Sequence, residues 1–267
     1  MALSPSDDGR ILDIKNVTVY RGDTRVLEHF SFVLDSDRHT AILGPNGAGK
    51  STILKLLTGE VHPLPTDDSA VRLFGDERWN VWNVRKRLGM VSHDLQHQYV
   101  EQVTGLKVVL SGYHASIGTY SHQDYTYQQI AHAHEVMEDL GIGFLVDRKF
   151  GDMSTGEERR CLLGRALVHD PSALILDEPT SGLDLNATFH YLELVRTAMR
   201  KGKTVLLVTH HIHEIPPEIT RVVLLKKGKI LFDGDKKSVL TEAHLRELFD
   251  CAVTLAQAKG WYQALPG

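Results

Sequence analysis

The sequence predicts an α/β fold with a largely parallel β-sheet at its core. Three short apolar runs, "TAILG", "ALILDEP" and "TVLLVTH", are typical of buried strands. A helical stretch from about Asn186 to Arg200 separates the last two, which gives the strand, helix, strand order of a parallel sheet. Between about Val103 and His169 no comparable strand signal appears, and helical periodicity dominates. We therefore expect a sheet core into which a helical lobe is inserted.

The N-terminal segment predicts an antiparallel hairpin followed by a strand, a glycine loop and a helix. In "ILDIKNVTVY" the apolar residues Leu12, Ile14, Val17 and Val19 alternate imperfectly with polar ones, as in a half-buried strand. The segment "RGDTR" is the expected turn of this hairpin. "TAILG" ends in glycine, and "GKSTILKLLTGE" then predicts a helix that ends at Gly59.

Periodicity and turn residues also organise the rest of the chain. In "DYTYQQIAHAHEVMEDLG" apolar residues recur at spacings of three and four, and Gly141 is placed as a helix stop. "RVVLLKKGKILFDG" predicts a hairpin around Lys227 and Gly228. "VLTEAHLRELFD" predicts a short helix, and the remaining residues predict a small hairpin that turns near Lys259 and Gly260.

Length and composition exclude several classes of protein. The chain has 267 residues, 42% of them hydrophobic, which suits one large domain or a core with a smaller lobe. No apolar run approaches the roughly 20 residues of a membrane-spanning helix, and "MALSPSDDGR" lacks the parts of a signal peptide. Two cysteines are too few for a disulfide framework, and a net charge of −4 argues against a whole-surface nucleic-acid binder. We expect a cytoplasmic protein and disfavour nucleic acid as its partner, although this net charge is compatible with a local basic patch.

The segment "GPNGAGKST" fits the phosphate-loop pattern G-x-x-x-x-G-K-[ST] between a predicted strand and a predicted helix. Its glycines let the backbone wrap closely, so that N–H groups and the helix N-terminus point at phosphate oxygens. Lys50 places a cation against the β and γ phosphates, and Ser51 is expected to bind Mg²⁺. The predicted nucleotide-binding residues of this loop are Gly44, Pro45, Asn46, Gly47, Ala48, Gly49, Lys50, Ser51 and Thr52.

A pair of acidic residues follows the second apolar run. In "ALILDEP", Asp177 and Glu178 lie at the carboxyl end of a predicted buried strand, which is where parallel sheets bind ligands. Asp177 is expected to hold the magnesium shell through water, and Glu178 to polarise an attacking water. These two motifs are compatible with a kinase, a GTPase or a recombinase-like motor. They predict the binding of a nucleoside triphosphate but not how its energy is used.

The segment "DMSTGEERRCLLGRAL" has two compatible interpretations. Ser154, followed three residues later by Glu157 and then by an apolar stripe, predicts a capping box at the start of a helix. The segment also resembles the signature loop of the ATP-binding cassette (ABC) family, which is usually LSGGQ. Met153, Ser154, Thr155, Gly156 and Glu157 stand at its five positions. Because a capped helix leaves some amides free, capping does not prevent anion binding.

The resemblance to the ABC nucleotide-binding domain runs from about Leu12 to Gly234, with the motifs in the family's order. It implies a P-loop NTPase with a RecA-like mixed sheet core, an N-terminal antiparallel β subdomain and an inserted α-helical signature subdomain. The implied domain covers residues 10–240, with the helical subdomain at about 95–170. Residues 241–267 would form a short C-terminal helix and hairpin extension.

The resemblance also implies a head-to-tail homodimer. Ser154 and Gly156 of one subunit would meet the γ-phosphate that the phosphate loop of the other subunit holds. "SGLD", which ends at Asp184, matches the D-loop that crosses the dimer interface. Tyr20 stands where the family stacks an aromatic ring on adenine, a role that suits a flat apolar ring.

Histidines complete the predicted catalytic set. "LLVTHH" places His210 at the family's switch histidine, which is expected to reach the γ-phosphate and to help hold Glu178 and water in position. The residues with predicted catalytic roles are therefore Glu178, His210 and Lys50. His211 and His213 are predicted to be surface histidines. A metal site there is disfavoured, because no matching cysteine or acidic ligand set accompanies them.

Three positions depart from the family's pattern. His93 aligns with the Q-loop glutamine that contacts nucleotide and magnesium, although Gln96 and Gln98 lie close by. A histidine can donate or accept a hydrogen bond, so it can replace that contact and make it sensitive to pH. The alternative is that His93 simply faces solvent. Thr155 replaces a glycine, and Glu157 replaces a glutamine and adds a negative charge. Both changes are expected to weaken nucleotide binding across the dimer.

The resemblance implies an ATP-binding and ATP-hydrolysing subunit of an ABC transporter, with ATP and Mg²⁺ as cofactors. Separate membrane-spanning subunits would be its partners, at the inner face of the cell membrane. Two segments, "VVLSGYHASIG" and "THHIHEIPPEIT", are similar to a soluble subgroup of molybdate-transport-associated and photorepair-like proteins. The alternative is therefore a soluble stand-alone ABC ATPase that acts on nucleic acid or on a protein partner.

Overall fold

The structure is a computed structural model that describes residues 9–77, 79, 84, 86–92, 99, 101–114, 116 and 124–267. The chain divides into two compact units. The sheet unit combines the residues up to 84 with residues 204–267, and the helical unit comprises residues 85–203. The helical unit includes the range 95–170, where the sequence predicts the helical subdomain, and extends beyond it on both sides.

The sheet unit begins with an antiparallel sheet. Its strands are β1 (Arg10–Arg21), β2 (Thr24–Asp35) and β4 (Ala70–Leu73), in the order β2-β1-β4. The β1 side chains that the alternation assigns to the core are Leu12, Ile14, Val17 and Val19, each at most 1% exposed. The predicted hairpin is therefore confirmed, whereas β4 is a strand that the sequence did not predict.

The second sheet of this unit carries the parallel pairing. β3 (Thr40–Leu43) pairs in parallel with β7 (Thr204–Thr209) on one side and with β8 (Arg221–Lys226) on the other. β8 then pairs with β9 (Lys229–Asp235) in antiparallel orientation, as the hairpin signal predicts. All four residues of β3 are buried, which explains the uninterrupted apolar run in its sequence. The mixed sheet confirms the predicted α/β fold class.

The described residues of the helical unit form a parallel strand pair and include three helices of 13 to 16 residues. β5 (Leu88–Val91) lies beside β6 (Ala173–Asp177). The helices are α1 of the sheet unit (Lys50–Thr58) and, in the helical unit, α2 (Gly105–Leu110), α3 (Tyr127–Asp139), α4 (Thr155–Leu167) and α5 (Leu185–Arg200). Gly59 and Gly141 follow α1 and α3 with positive φ of 72° and 64°, so both act as the predicted stops. Short 3-10 turns occupy Ser111–His114, Gly143–Leu145 and Phe150–Asp152.

The sheet unit ends in a helix and a hairpin. After the 3-10 turn Ile212–Glu214 and the hairpin of β8 and β9 come α6 (Lys236–Val239) and α7 (Glu242–Phe249). β10 (Val253–Ala258) and β11 (Trp261–Pro266) then pair in antiparallel orientation. In the described part of the chain, none of the helices combines the length and the apolar character needed to span a membrane.

Candidate functional site

The phosphate loop leaves β3 in close contact with its neighbouring strands. The amide of Gly44 donates to the carbonyl of Thr209 at 3.2 Å, at the end of β7. A Cβ on Gly44 would lie 2.3 Å from the carbonyl oxygen of Leu225, so no larger residue fits there. Gly47 and Gly49 have positive φ of 77° and 105°, a conformation that glycine adopts without strain. The sequence pattern and the local packing therefore require the same glycines.

Lys50 is the first residue of α1 and is held inside its own loop. Its ammonium donates to the carbonyls of Gly44 at 2.8 Å and Pro45 at 3.1 Å, and the residue is only 6% exposed. Ser51 is exposed on the first turn of the helix, whereas Thr52 is buried. The cation and the Ser51 hydroxyl thus lie at the helix N-terminus, where the dipole favours an anion.

The hairpin turn between β8 and β9 supports the phosphate loop. Lys227 and Gly228 form this two-residue turn with positive φ of 48° and 75°, as in a type I′ turn. The amide of Gly228 donates to the carbonyl of Ala48 at 2.8 Å. A Cβ on Gly228 would lie 2.0 Å from the carbonyl oxygen of Val26, so the turn packs tightly on β2. The phosphate loop therefore depends on residues far away in the sequence.

Tyr20 lies near the end of β1, opposite Arg25 of β2. It is one of the large hydrophobic residues that remain exposed, at 45% of its surface. A tyrosine that only packs within a sheet would be mostly buried. The exposed ring of Tyr20 is instead free to stack on a planar ligand.

His210 follows β7, the strand that pairs with β3. Because Leu43 and Thr209 are partners in the parallel register, the last residues of both strands lie side by side. The Thr209 hydroxyl accepts from the amide of His211 at 2.9 Å and donates to the carboxylate of Glu214. Thr209 and Glu214 are fully buried, at 0% exposure. This network was not predicted; its signal in the sequence is an acidic residue inside the apolar run "IHEIPP".

The acid pair of the helical unit comes at the end of β6. Asp177 is the last strand residue, and Glu178 follows it with a positive φ of 46°. The carbonyl of Glu178 accepts from the amide of Ser181 at 3.2 Å, which closes a turn after the strand. A left-handed backbone is uncommon for a residue other than glycine, asparagine or aspartate, and such residues cluster at functional sites.

The start of α4 carries the predicted capping box. The Ser154 hydroxyl accepts from the amide of Glu157 at 3.3 Å, and the Glu157 carboxylate accepts from the amide of Ser154 at 2.7 Å. Arg148 lies 3.5 Å from the same carboxylate. Burial alone would raise the pKa of Glu157, but the Ser154 hydrogen bonds and the nearby Arg148 and Arg160 outweigh it and lower this pKa. Glu157 is therefore a carboxylate anchored to the helix end.

The signature and the D-loop line one cavity of the helical unit, with a volume of about 460 Å³. Ser154 and Gly156 lie on its wall at the start of α4, and Asp184 lies on it at the start of α5. Asp184 caps α5, because its carboxylate accepts from the amide of Ala187 at 2.7 Å. Three of the predicted site residues thus come together here. The predicted residue His93, like Gln96 and Gln98, lies outside the described residues.

Comparisons with known proteins identify the family of this chain. Residues 27–181 match the family described as ABC transporter. The chain belongs to the ABC transporter ATP-binding family. The ABC transporter ATP-binding protein YlmA of Bacillus subtilis is 32% identical over 91% of this chain and 92% of its own length. The ABC transporter ATP-binding protein ModF of Escherichia coli is 37% identical over 81% of this chain, which spans 44% of that protein.

Solved structures share the fold of this ABC ATPase. A structure of a metal-chelate type ABC transporter in an inward-facing conformation has a TM-score of 0.77 at 24% identity, covering 96% of this chain and 98% of that one. A second match is an ATP-binding cassette in its ADP conformation, with a TM-score of 0.76 at 23% identity over 90% of this chain and 98% of that one. The P-loop NTPase fold is confirmed. The protein is an ATP-binding and ATP-hydrolysing subunit of the ABC transporter type.

Proposed function

We propose that this ABC ATPase works as a Mg²⁺-dependent head-to-tail homodimer that couples ATP binding and hydrolysis to separate membrane-spanning subunits. The observation that supports the dimer best is the cavity of about 460 Å³ that collects Ser154, Gly156 and Asp184. All three residues lie at helix starts, whereas the phosphate loop belongs to the other unit of the chain. In the proposed dimer, each subunit completes the nucleotide pocket of its partner.

The signature helix is suited to bind a phosphate across the interface. The capping box uses the amides of Ser154 and Glu157. The amides of Thr155 and Gly156 lie in the first helical turn, where a helix provides no carbonyl partner. These two N–H groups and the positive end of the helix dipole would meet the γ-phosphate that the partner subunit holds.

The donors for Mg²⁺ are oxygen atoms, as this hard cation prefers. Ser51 offers an exposed hydroxyl beside Lys50, and Asp177 offers a carboxylate at the end of β6. Within the described residues, no group of three or more acidic, histidine or cysteine side chains could hold a metal alone. This suits Mg²⁺, which usually keeps waters and substrate phosphates as ligands. When bound, it would neutralise charge that develops on the phosphates. His93 is a further proposed contact to the metal and nucleotide.

The remaining roles concern the base, the adenine ring and the attacking water. Tyr20, with its exposed ring, would stack on adenine. Glu178 would accept a proton from the water that attacks the γ-phosphate, and His210 would hold that water and the phosphate by hydrogen bonds. Lys50 would exchange its bonds to the loop carbonyls for bonds to phosphate oxygens.

The first test replaces Glu178 by glutamine in the full chain. Removal of a general base typically costs about 10²- to 10⁴-fold, so ATP turnover should fall by that factor while ATP still binds. The variant should then accumulate as an ATP-bound dimer in analytical ultracentrifugation, and Lys50→Ala should stay monomeric under the same conditions. Unchanged turnover would reject Glu178 as the base. A monomeric Glu178→Gln protein at saturating Mg·ATP would reject the dimer.

The second test mixes Lys50→Ala and Ser154→Arg subunits, each inactive alone. A mixed head-to-tail dimer has one pocket with an intact phosphate loop and an intact signature, and one pocket with neither. Part of the ATPase activity should therefore return on mixing. If the mixture stays as inactive as its components, the two motifs do not act across an interface.

The proposed partners are membrane-spanning subunits at the inner face of the cell membrane. The family match supports them, and purification from native membranes followed by mass spectrometry would identify them. The alternative, a stand-alone ATPase that acts on nucleic acid, receives no support from the basic turn "KKGK". Lys226 pairs with Asp250 at 2.7 Å and Lys229 pairs with Glu28 at 2.7 Å, so acidic partners offset these charges. Recovery with soluble proteins alone would favour the alternative.

A further inference from the structure

We propose that His211 is a positioning residue for His210, because its ring packs on the His210 ring and restricts the orientations in which His210 meets the γ-phosphate. This inference rests on the role of His210 in the proposed function and deepens it. The sequence predicts His211 at the surface. The structure instead makes His211 half-buried, and only His213 is exposed as predicted.

The three imidazole rings form a row. The ring centroids of His210 and His211 lie 3.8 Å apart with an interplanar angle of 41°, and those of His211 and His213 lie 5.1 Å apart at 33°. The first distance means direct ring contact, since aromatic pairs commonly have centroids 4.5–7 Å apart. His211 is therefore the central ring, between the half-buried His210 and the exposed His213.

The backbone of His211 is fixed at both of its polar groups. Its amide donates to the hydroxyl of Thr209 at 2.9 Å, and its carbonyl accepts from the amide of Glu214 at 3.3 Å. The same Thr209 hydroxyl donates to the Glu214 carboxylate, and both side chains are fully buried. Ile212 and Ile215 are buried as well, at 5% and 0% exposure. The His211 ring is thus attached to a rigid turn and not to a mobile loop.

A ring on a rigid turn limits the movement of the ring beside it. His210 follows the last residue of β7, and its side chain can rotate about two torsions. Contact with His211 disfavours the rotamers that would enter the space occupied by the His211 ring. His210 then loses less rotational freedom when it binds a phosphate, and more molecules have the productive orientation at any moment. An aromatic pair contributes an effect of about two- to tenfold on such an equilibrium.

Steady-state ATP hydrolysis by the full chain with Mg²⁺ tests the inference. In His211→Ala, kcat should fall about two- to tenfold, while KM for ATP changes less than twofold. In His211→Phe, which keeps a planar ring but no imidazole nitrogen, kcat should return to within about twofold of the unmodified protein. If His211 had only a structural role, His211→Ala would lower the midpoint temperature of unfolding, and kcat would not fall while KM stays nearly unchanged. An unchanged kcat in His211→Ala, or a His211→Phe protein as slow as His211→Ala, would overturn the inference.

Two further measurements separate this inference from the function on which it rests. His210→Ala should lose hydrolysis by more than tenfold. If it does not, the role of His210 in the proposed function fails, whatever His211 does. A measurement without catalysis uses NMR on protein labelled at its histidine rings, with the His210 signal assigned from its absence in His210→Ala. The ring-current shift of that signal should be lost in His211→Ala and kept in His211→Phe, and a signal that does not move in His211→Ala contradicts the ring contact.

Discussion

Replacement of Gly228 by alanine should destabilise the sheet unit far more than one methyl group would suggest. The new Cβ would lie 2.0 Å from the carbonyl oxygen of Val26 and 2.9 Å from its carbonyl carbon, so the turn must move away from β2. Overpacking of this kind costs about 1–3 kcal/mol. The positive φ of 75° adds about 1–2 kcal/mol for any residue with a Cβ. The free energy of unfolding should therefore fall by about 2–5 kcal/mol.

Gly202→Ala is the matched control for this substitution. Gly202 has a positive φ of 88°, but a Cβ there would meet no atom within 4 Å. The Gly202→Ala variant should therefore lose only the stability that a positive φ costs a residue with a Cβ, about 1–2 kcal/mol. Urea unfolding measures both losses of stability, because a shift of the midpoint at an unchanged slope of free energy against urea concentration reports the change in stability. Because the amide of Gly228 also holds the carbonyl of Ala48, Gly228→Ala should bind ATP more weakly, whereas Gly202→Ala should not. Equal losses of stability in the two variants would refute the clash.

Three other substitutions test charged and titratable groups of the two units. Arg221→Ala should cost about 1.5–3 kcal/mol in urea unfolding, because it removes the charged hydrogen bonds that the buried Arg221 makes to Asp233 at 2.6 and 2.7 Å, while water can still solvate the Asp233 carboxylate. Arg200→Ala removes an exposed ion pair and should cost less than about 1 kcal/mol. Burial lowers the pKa of His169 to about 4, from its ordinary value of 6.5. At a pH below 6.5 the ring therefore takes up a proton when the protein unfolds. Stability should fall by about 2 kcal/mol between pH 7 and 4.5, and His169→Leu should remove most of this loss.

Local patterns predicted the parts of this protein whose geometry is local. The stop at Gly59 and the capping box of Ser154 and Glu157 depend on contacts within a few residues, and the structure has both of them. The signature helix also shows why such a pattern is ambiguous. The capping box uses some of the amides at the helix start, while the amides beside them are the ones proposed to bind phosphate.

Features that depend on tertiary contacts were missed. β5 is only four residues long and contains Gly89, whose Cβ would lie 2.4 Å from the carbonyl oxygen of Ala166 in α4. A helix that packs so closely demands glycine, and glycine weakens the strand signal. The exposure of His211 was predicted wrongly for a similar reason. Its neighbours His210 and His213 are nearly adjacent in sequence, but the turn that brings the rings into contact is held by the buried hydrogen bond between Thr209 and Glu214 and by the backbone bonds of His211.

The position of β3 between β7 and β8 has a consequence for synthesis of the chain. Residues 40–43 form their parallel pairs only with residues 206–209 and 221–224. His39 and Val205, which are hydrogen-bonded, are 166 positions apart. On the ribosome, the sheet around the phosphate loop therefore cannot close until most of the protein has been translated. Pairing over such distances is slow, so a nascent chain stalled before about residue 204 should expose the apolar residues of β3 to chaperones.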